Sequence, residues 1–222
     1  MFDQLIIFIS QYYPQFLQGA LVSLQVAVCS STIGFILGTI LSFLQTSRSK
    51  ILKVLVTFYV TIIRGIPMLI QITFMKYVIF QAIYPQASVI YIAICAIGLN
   101  SGAYLCEVIR SGIQSVNPGQ IEAAKTLGFT KMQIRRYIIF PQAIRAILPA
   151  LGNELITLVK DSSLASTIGV AELFKNGSNI RNQTYDTFTV YLIMGCLYLI
   201  MTTSISFVIN KLEKKLNKNY KN

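Results

Sequence analysis

Glu122-Ala123-Ala124-Lys125-Thr126-Leu127-Gly128, running on to Ile138-Ile139-Phe140-Pro141, is a polar island in a very apolar chain. Between Ser111 and Arg136 stand Lys125, Lys131, Arg135 and Arg136, with Arg110 just before them, against a single acid, Glu122. Asn117-Pro118 marks a helix start: Asn caps, and Pro fits a first turn where its missing N–H costs nothing. Ala123 and Ala124 favour helix and leave a shallow surface. Gly128 stops the helix, because glycine takes the left-handed backbone region freely. The spacing thus predicts a short helix, a Gly stop and a second short basic helix. A shallow-faced helix between membrane spans suits docking into a groove of another protein. The same composition also fits an ordinary loop helix.

The apolar runs on either side set the class. Of 222 residues, 54% are hydrophobic and only 12% charged, which is membrane-protein composition. We expect one transmembrane domain over 1–222, with a cytoplasmic loop at about 111–140. The net charge of +11 does not point to nucleic acid, because its placement is segmental. Arg48, Lys50 and Lys53 share one loop. Arg110, Lys125, Lys131, Arg135, Arg136 and Arg145 surround the island, and Lys211, Lys214, Lys215, Lys218 and Lys221 fill the tail. Apolar runs separate the three groups, and the positive-inside rule puts all three in the cytoplasm. No aromatic-interleaved basic face of a nucleic-acid binder is visible. Cys29, Cys95, Cys106 and Cys196 all lie in apolar runs without metal spacing. With no histidine in the chain, the commonest metal ligand and general base is missing. The start, Met1-Phe2-Asp3-Gln4, has no cation of a signal peptide.

Taken in order, residues 1–18 alternate apolar and polar groups around Pro14 and suit an interfacial segment on the outer face. Residues 19–44 are uncharged and exceed the ~20 residues a span needs. Gly34 and Gly38 within them either admit a close helix or are incidental. Next, Arg64-Gly65-Ile66-Pro67 breaks a run too long for one span. It reads as a helix over 51–63 at the inner interface followed by a second span from about 66 to 84, or as one kinked helix. A third span covers 89–106 and carries Asn100, Ser101 and Tyr104. Polar groups at that depth are costly unless they face a protein interior, so they nominate a pathway. Glu107 and Arg110, three apart, are placed to pair.

After the island, 143–159 forms a fourth span, bent at Pro149. Glu154 and Asp161 are seven residues apart, hence on one helix face two turns apart. Two acids on one face at membrane depth read as a site for a cationic or amine-bearing solute. The alternative is a buried ion-pair network with Lys160 or Arg64. Residues 171–186 form a polar outer loop in which Glu172, Lys175, Arg181 and Asp186 cancel. Residues 187–209 are an uncharged fifth span. The expected fold is an all-α membrane protein of five transmembrane helices, with its N-terminus outside and its C-terminus cytoplasmic.

Several runs resemble one family. Glu122-Ala-Ala, Gly128 and then Ile138-x-Phe140-Pro141 is similar to the EAA loop of bacterial ABC importer permeases, with Phe140 where Leu is usual. Arg64-Gly-Ile-Pro-Met-Leu-Ile-Gln71 resembles the Arg-Gly-Thr-Pro-Leu-Leu-x-Gln motif of polar amino-acid permeases, with Ile66 for Thr. The runs from Asn100 to Arg110 and from Asn153 to Leu164 resemble the same family. The resemblance implies a type I importer permease, multi-pass in the bacterial cytoplasmic membrane. It implies a second permease subunit, identical or homologous, and two ATP-binding subunits that carry ATP and Mg. It also implies an extracytoplasmic solute-binding protein that meets the outer loop. By the same resemblance, Glu122, Ala123, Ala124 and Gly128 couple to the ATPase. Asn100, Glu154 and Asp161 contact the solute, together with Met68, Gln71, Tyr104 and Ser163. The two acids favour arginine, lysine or histidine, while glutamine and cystine stay open through their ammonium groups.

Other classes fit less well. Neither a phosphate-binding Gly-rich loop nor a nucleophile set can be assembled, so chemistry on this chain is not expected and no cofactor is assigned to it. A stand-alone secondary transporter or channel would show related halves, and none are visible. A membrane scaffold has no reason to place two acids on one face.

Overall fold

In a computed structural model, residues 2–218 are described. Met1 and the tail residue Lys221 lie outside them. Helices joined by short turns make up the described residues, with no strand among them. α1 (Phe2–Gln45) is one continuous helix through Pro14. The stretch from Phe2 to Gln18, expected as a separate interfacial segment, is therefore the first part of one long helix. Its packing explains the difference: Phe16 and Ala20 are buried, and Gly19 lies against the backbone of Leu173, so tertiary contact outweighs the hydrogen bond that Pro14 forfeits.

α2 (Lys50–Gly65) ends where Ile66 turns extended before Pro67, as the clash with a following proline requires. The chain then bends by 104° into the run Met68–Ile83, so this stretch is two helices and not one kinked helix. That run is α3 (Met68–Phe74), a π-turn (Met75–Phe80) and the short α4 (Gln81–Ile83). α5 (Val89–Gln114) is the central helix, and its longest contact is with α1. Small residues make that contact. A Cβ at Gly38 would sit 2.8 Å from Leu105 Cβ and 2.9 Å from Cys106 N. Conversely, Ile33 presses on Gly98 and Leu37 on Gly102. Gly34 and Gly38 are thus close-approach positions, matched by two glycines on the facing helix.

α6 (Pro118–Thr126) starts as its sequence directs. The Asn117 side chain accepts from Gly119 N at 2.8 Å, and Pro118 occupies the first turn. It stops at Gly128, whose φ is +81°. α7 (Lys131–Ile134) opens with a reciprocal capping box between Thr130 and Gln133. It does not end as a separate basic helix. A π-turn (Arg135–Ile139) carries it directly into α8 (Phe140–Asp161). The wider turn sits immediately before Pro141, whose missing N–H would otherwise interrupt the ladder. α8 runs on through Pro149 and passes into a 3-10 helix (Ser162–Ile168) closed by Gly169.

The expected polar outer loop is largely helical: α9 (Leu173–Thr184) lies there, ahead of α10 (Thr187–Lys218). Glu172 is not a surface charge in it. Glu172 caps α9 and is fully buried. The main core joins Val26, Ile97, Leu158, Leu173 and Met194, drawn from α1, α5, α8, α9 and α10. Among the described residues, three helical stretches are long and apolar enough to cross a membrane: Ile6–Gln45, Val89–Gln114 and Thr187–Leu216. Lys50–Gly65 with Met68–Ile83 adds a bent pair. α8 carries Arg145, Glu154 and Lys160 and packs inside the bundle against α10, α5 and α1.

Candidate functional site

The break between α2 and α3 opens a cleft of about 420 Å³. Gly65, Ile66, Pro67 and Met68 form one wall, Asn100 and Tyr104 of α5 a second, and Glu154, Thr157 and Asp161 of α8 a third. Five of the seven residues expected at a solute site therefore share one cleft: Met68, Asn100, Tyr104, Glu154 and Asp161.

Gln71 stands behind this wall. Its Nε2 donates to the carbonyls of Ile63 at 2.7 Å and Ile66 at 2.8 Å, and its Oε1 accepts from Asn100 Nδ2 at 3.2 Å. The first two bonds satisfy carbonyls orphaned by the end of α2, and the third orients Asn100. Ser163 is not brought into the cleft. It lies in the 3-10 helix, where its hydroxyl donates to the Lys160 carbonyl at 2.7 Å.

The acids lie on one face of α8, as their spacing requires. The Ser101 hydroxyl donates to Glu154 Oε1 at 2.7 Å and anchors it to α5. Among the described residues neither Glu154 nor Asp161 makes an ion pair, so the expected alternative of a network with Lys160 or Arg64 is not formed. Arg64 instead lies over the Tyr104 ring, with its guanidinium carbon 5.0 Å from the centroid, and lines the same cleft. The cleft thus presents one guanidinium and two carboxyl groups.

Two contacts escaped the sequence reading. Ser101 is the residue after Asn100, about 100° round the helix, and only packing shows that it faces α8. Arg64 reads from the sequence as an ion-pair candidate at the start of the Gly-Ile-Pro break, and only the fold seats it over Tyr104 at the cleft. Glu107 is hydrogen-bonded by Arg110 and by Gln45 Nε2, the latter at 3.3 Å, which makes it a paired group at the far end of α5.

The island forms a second, separate feature. Glu122 and Ala123 are exposed, while Ala124 is 4% exposed and turned inward. Gly128 orders the stop that places Leu127, 76% exposed, and Met132, 68% exposed, beside the cations. Large apolar side chains on a charged loop mark a surface prepared for a protein partner. Gln142 Nε2 donates to Gln120 Oε1 at 2.6 Å and ties α6 to the start of α8. The helix that carries the acids is therefore fastened to the island.

Residues 30–218 match the family described as binding-protein-dependent transport system inner membrane component. The chain belongs to that family. This permease is 35% identical over 215 residues to a putative glutamine transport system permease of Rickettsia prowazekii, covering 96% of this chain and 99% of that protein. It is 32% identical over 206 residues to the arginine transport system permease ArtQ of Bacillus subtilis, covering 93% and 94%. A crystal structure of an amino acid ABC transporter with histidines contains a chain that superposes with a TM-score of 0.87 at 36% identity, covering 94% of this permease and 97% of that chain. The all-helical permease fold of an ABC importer, anticipated from the motifs, is the fold of this protein. The chain is a translocation component of an amino-acid ABC importer and not an enzyme, which sets aside the stand-alone transporter and scaffold readings.

Proposed function

We propose that this permease passes amino acids with a cationic side chain (arginine, lysine or histidine) from an external binding protein to the cytoplasm. The observation that carries this reading is the cleft between α2, α5 and α8. Arg64 there matches an α-carboxylate bidentately. Glu154 and Asp161 match an α-ammonium group with a second positive charge left to satisfy. Asn100, held by Gln71, supplies a neutral hydrogen-bonding group. The volume falls within the ~300–1,000 Å³ usual for small-molecule sites. ArtQ, named for arginine, and the structure with histidines agree with the choice. The relative named for glutamine supports a second reading in which one acid anchors the ammonium group and the other serves structure; cystine would be held in the same way.

In this proposal the chain crosses the bacterial cytoplasmic membrane five times. The N-terminus lies outside, and the basic groups at Arg48–Lys53, the island and the tail lie inside. Two permease subunits, identical or homologous, flank the path. Each docks an ATPase subunit through α6, with Glu122, Ala123 and the exposed Leu127 and Met132 in contact and Ala124 and Gly128 shaping the surface. ATP with Mg belongs to that partner. Closure of the ATPases pushes α6, and the Gln120–Gln142 tie passes the movement to α8 and its acids. This is a two-state element biased by partner contacts.

The test is ATPase stimulation of the whole complex in proteoliposomes, with its binding protein, across arginine, lysine, histidine, glutamine and cystine. Cationic solutes are expected to stimulate alone. Stimulation by glutamine or cystine would select the second reading. In the same assay Glu154→Gln retains an acceptor for Ser101, and both it and Asp161→Asn are expected to lower kcat/KM at least tenfold. Undiminished uptake by assembled D161N sinks the acid-pair site.

A further inference from the structure

A second polar cleft lies beside the first and is not explained by solute recognition. It has a volume of about 440 Å³ and is lined by Thr57, Thr61 and Arg64 of α2 and by Tyr104 and Glu107 of α5. Arg64, Gly65 and Tyr104 line both clefts. The residues fall at helical spacing, 57, 61 and 64 on α2 and 100, 104 and 107 on α5, so each helix presents one continuous polar stripe. The stripe on α5 runs from Asn100 in the acid-lined cleft, past Tyr104, to Glu107, on the side from which α5 leads to Gln114 and α6.

The two threonines differ from most threonines in the other long helices. Thr32, Thr39, Thr73, Thr157 and Thr202 each return their hydroxyl to the carbonyl four residues before. Among the described residues Thr57 and Thr61 make no such bond, and both are exposed. A hydroxyl that makes no back-bond, on the polar stripe of a cleft, is open to water or a passing solute. Glu107 brings no unmatched charge to the cleft, since Arg110 and Gln45 hold it.

We infer that this second cleft is the inward half of the solute path, and that the Arg64–Tyr104 stack is the partition between the two halves. The inference rests on the proposed solute cleft and deepens it. A solute carboxylate competes with the Tyr104 ring for the Arg64 guanidinium. Solute arrival therefore loosens the partition from the outer side, and Thr57 and Thr61 offer hydrogen bonds on the way in.

The experiment uses Thr61→Cys and, separately, Thr57→Cys in the complete complex in proteoliposomes. A membrane-impermeant cationic thiol reagent is added on the ATPase side. Each variant is compared with itself before and after reagent, and labelling is read by mass spectrometry. The unsubstituted chain, with its own four cysteines, is the control. The expected result is labelling of the introduced cysteine and a fall of at least tenfold in transport rate, with the control unaffected. Assembled variants that no longer transport before reagent support the same assignment. Absence of labelling overturns it, as does labelling with unchanged transport. Failure of the control to transport any amino acid would instead overturn the solute reading beneath it.

Discussion

Glu172 shows how differently a residue reads in one dimension and in three. Along the chain it is one of four charges that cancel in a polar segment. In the fold its side chain is 0% exposed and collects Phe174 N at 2.9 Å, Lys175 N at 2.7 Å, Tyr198 Oη at 2.9 Å and Ser23 Oγ at 3.3 Å. One carboxylate thus caps α9 and binds it to α1 and α10. Buried polar groups are tolerated when every bond is made and are costly otherwise. Glu172→Gln replaces an acceptor with a donor among donors. It is expected to destabilise the purified complex by about 1–3 kcal/mol, read as a lower thermal midpoint. A midpoint equal to the unsubstituted complex would show that the network contributes nothing. Glu154 and Asp161 behaved otherwise: their spacing of seven announced a shared face, because helical periodicity is local. The hydrogen bond from Ser101 was not legible, because it depends on how α5 is rotated against α8.

Elements whose instructions are local were the most readable. α6 has its Asn cap, its first-turn proline and its glycine stop within a dozen residues, and the structure builds it between those signals. The joins were less readable. The π-turn that fuses α7 to α8 and the helical state of residues 2–18 depend on contacts made elsewhere. The α1–α5 contact offers a direct test. A methyl at Gly38 meets backbone and Cβ atoms that cannot retreat, whereas Gly195 on α10 has open space around its Cβ position. Gly38→Ala is expected to cost about 1–3 kcal/mol, the usual penalty of overpacking. Gly195→Ala is expected to be neutral or slightly stabilising, since Ala is the better helix former. Thermal inactivation of the two variants side by side reads the difference, and equal behaviour would remove the close-approach argument.

At the scale of the whole molecule, the acid-lined cleft and the island are joined by α8 and by the Gln120–Gln142 tie. A transporter needs such a link, because a push at one end must be felt at the other. Glu122→Lys reverses the only acid of the island while leaving its helix exposed and capped. Capture of the ATPase subunit by the purified permease is expected to weaken at least tenfold. Capture at full strength would move the docking surface away from α6. The same reversal leaves the cleft untouched, so solute-dependent effects of Asp161→Asn are expected to be independent of it.

The sequence by itself determined that the chain is an apolar helical membrane protein, where α6 starts and stops, that Pro67 disrupts the run before Met68, and that two acids share a face. All of these follow from composition, periodicity and capping, which act over a few residues. Only the tertiary structure decided that the break opens onto Asn100 and Glu154, that Arg64 rests on Tyr104, that Ser163 stays outside the cleft, that Gln71 holds the broken helix end, and that Glu172 is a buried hub. Each of these depends on the rotation and depth at which separate helices meet. Glycines at 34, 38, 98 and 102 set that meeting for α1 and α5 by letting the two backbones come together, and no local pattern records which residues then face each other.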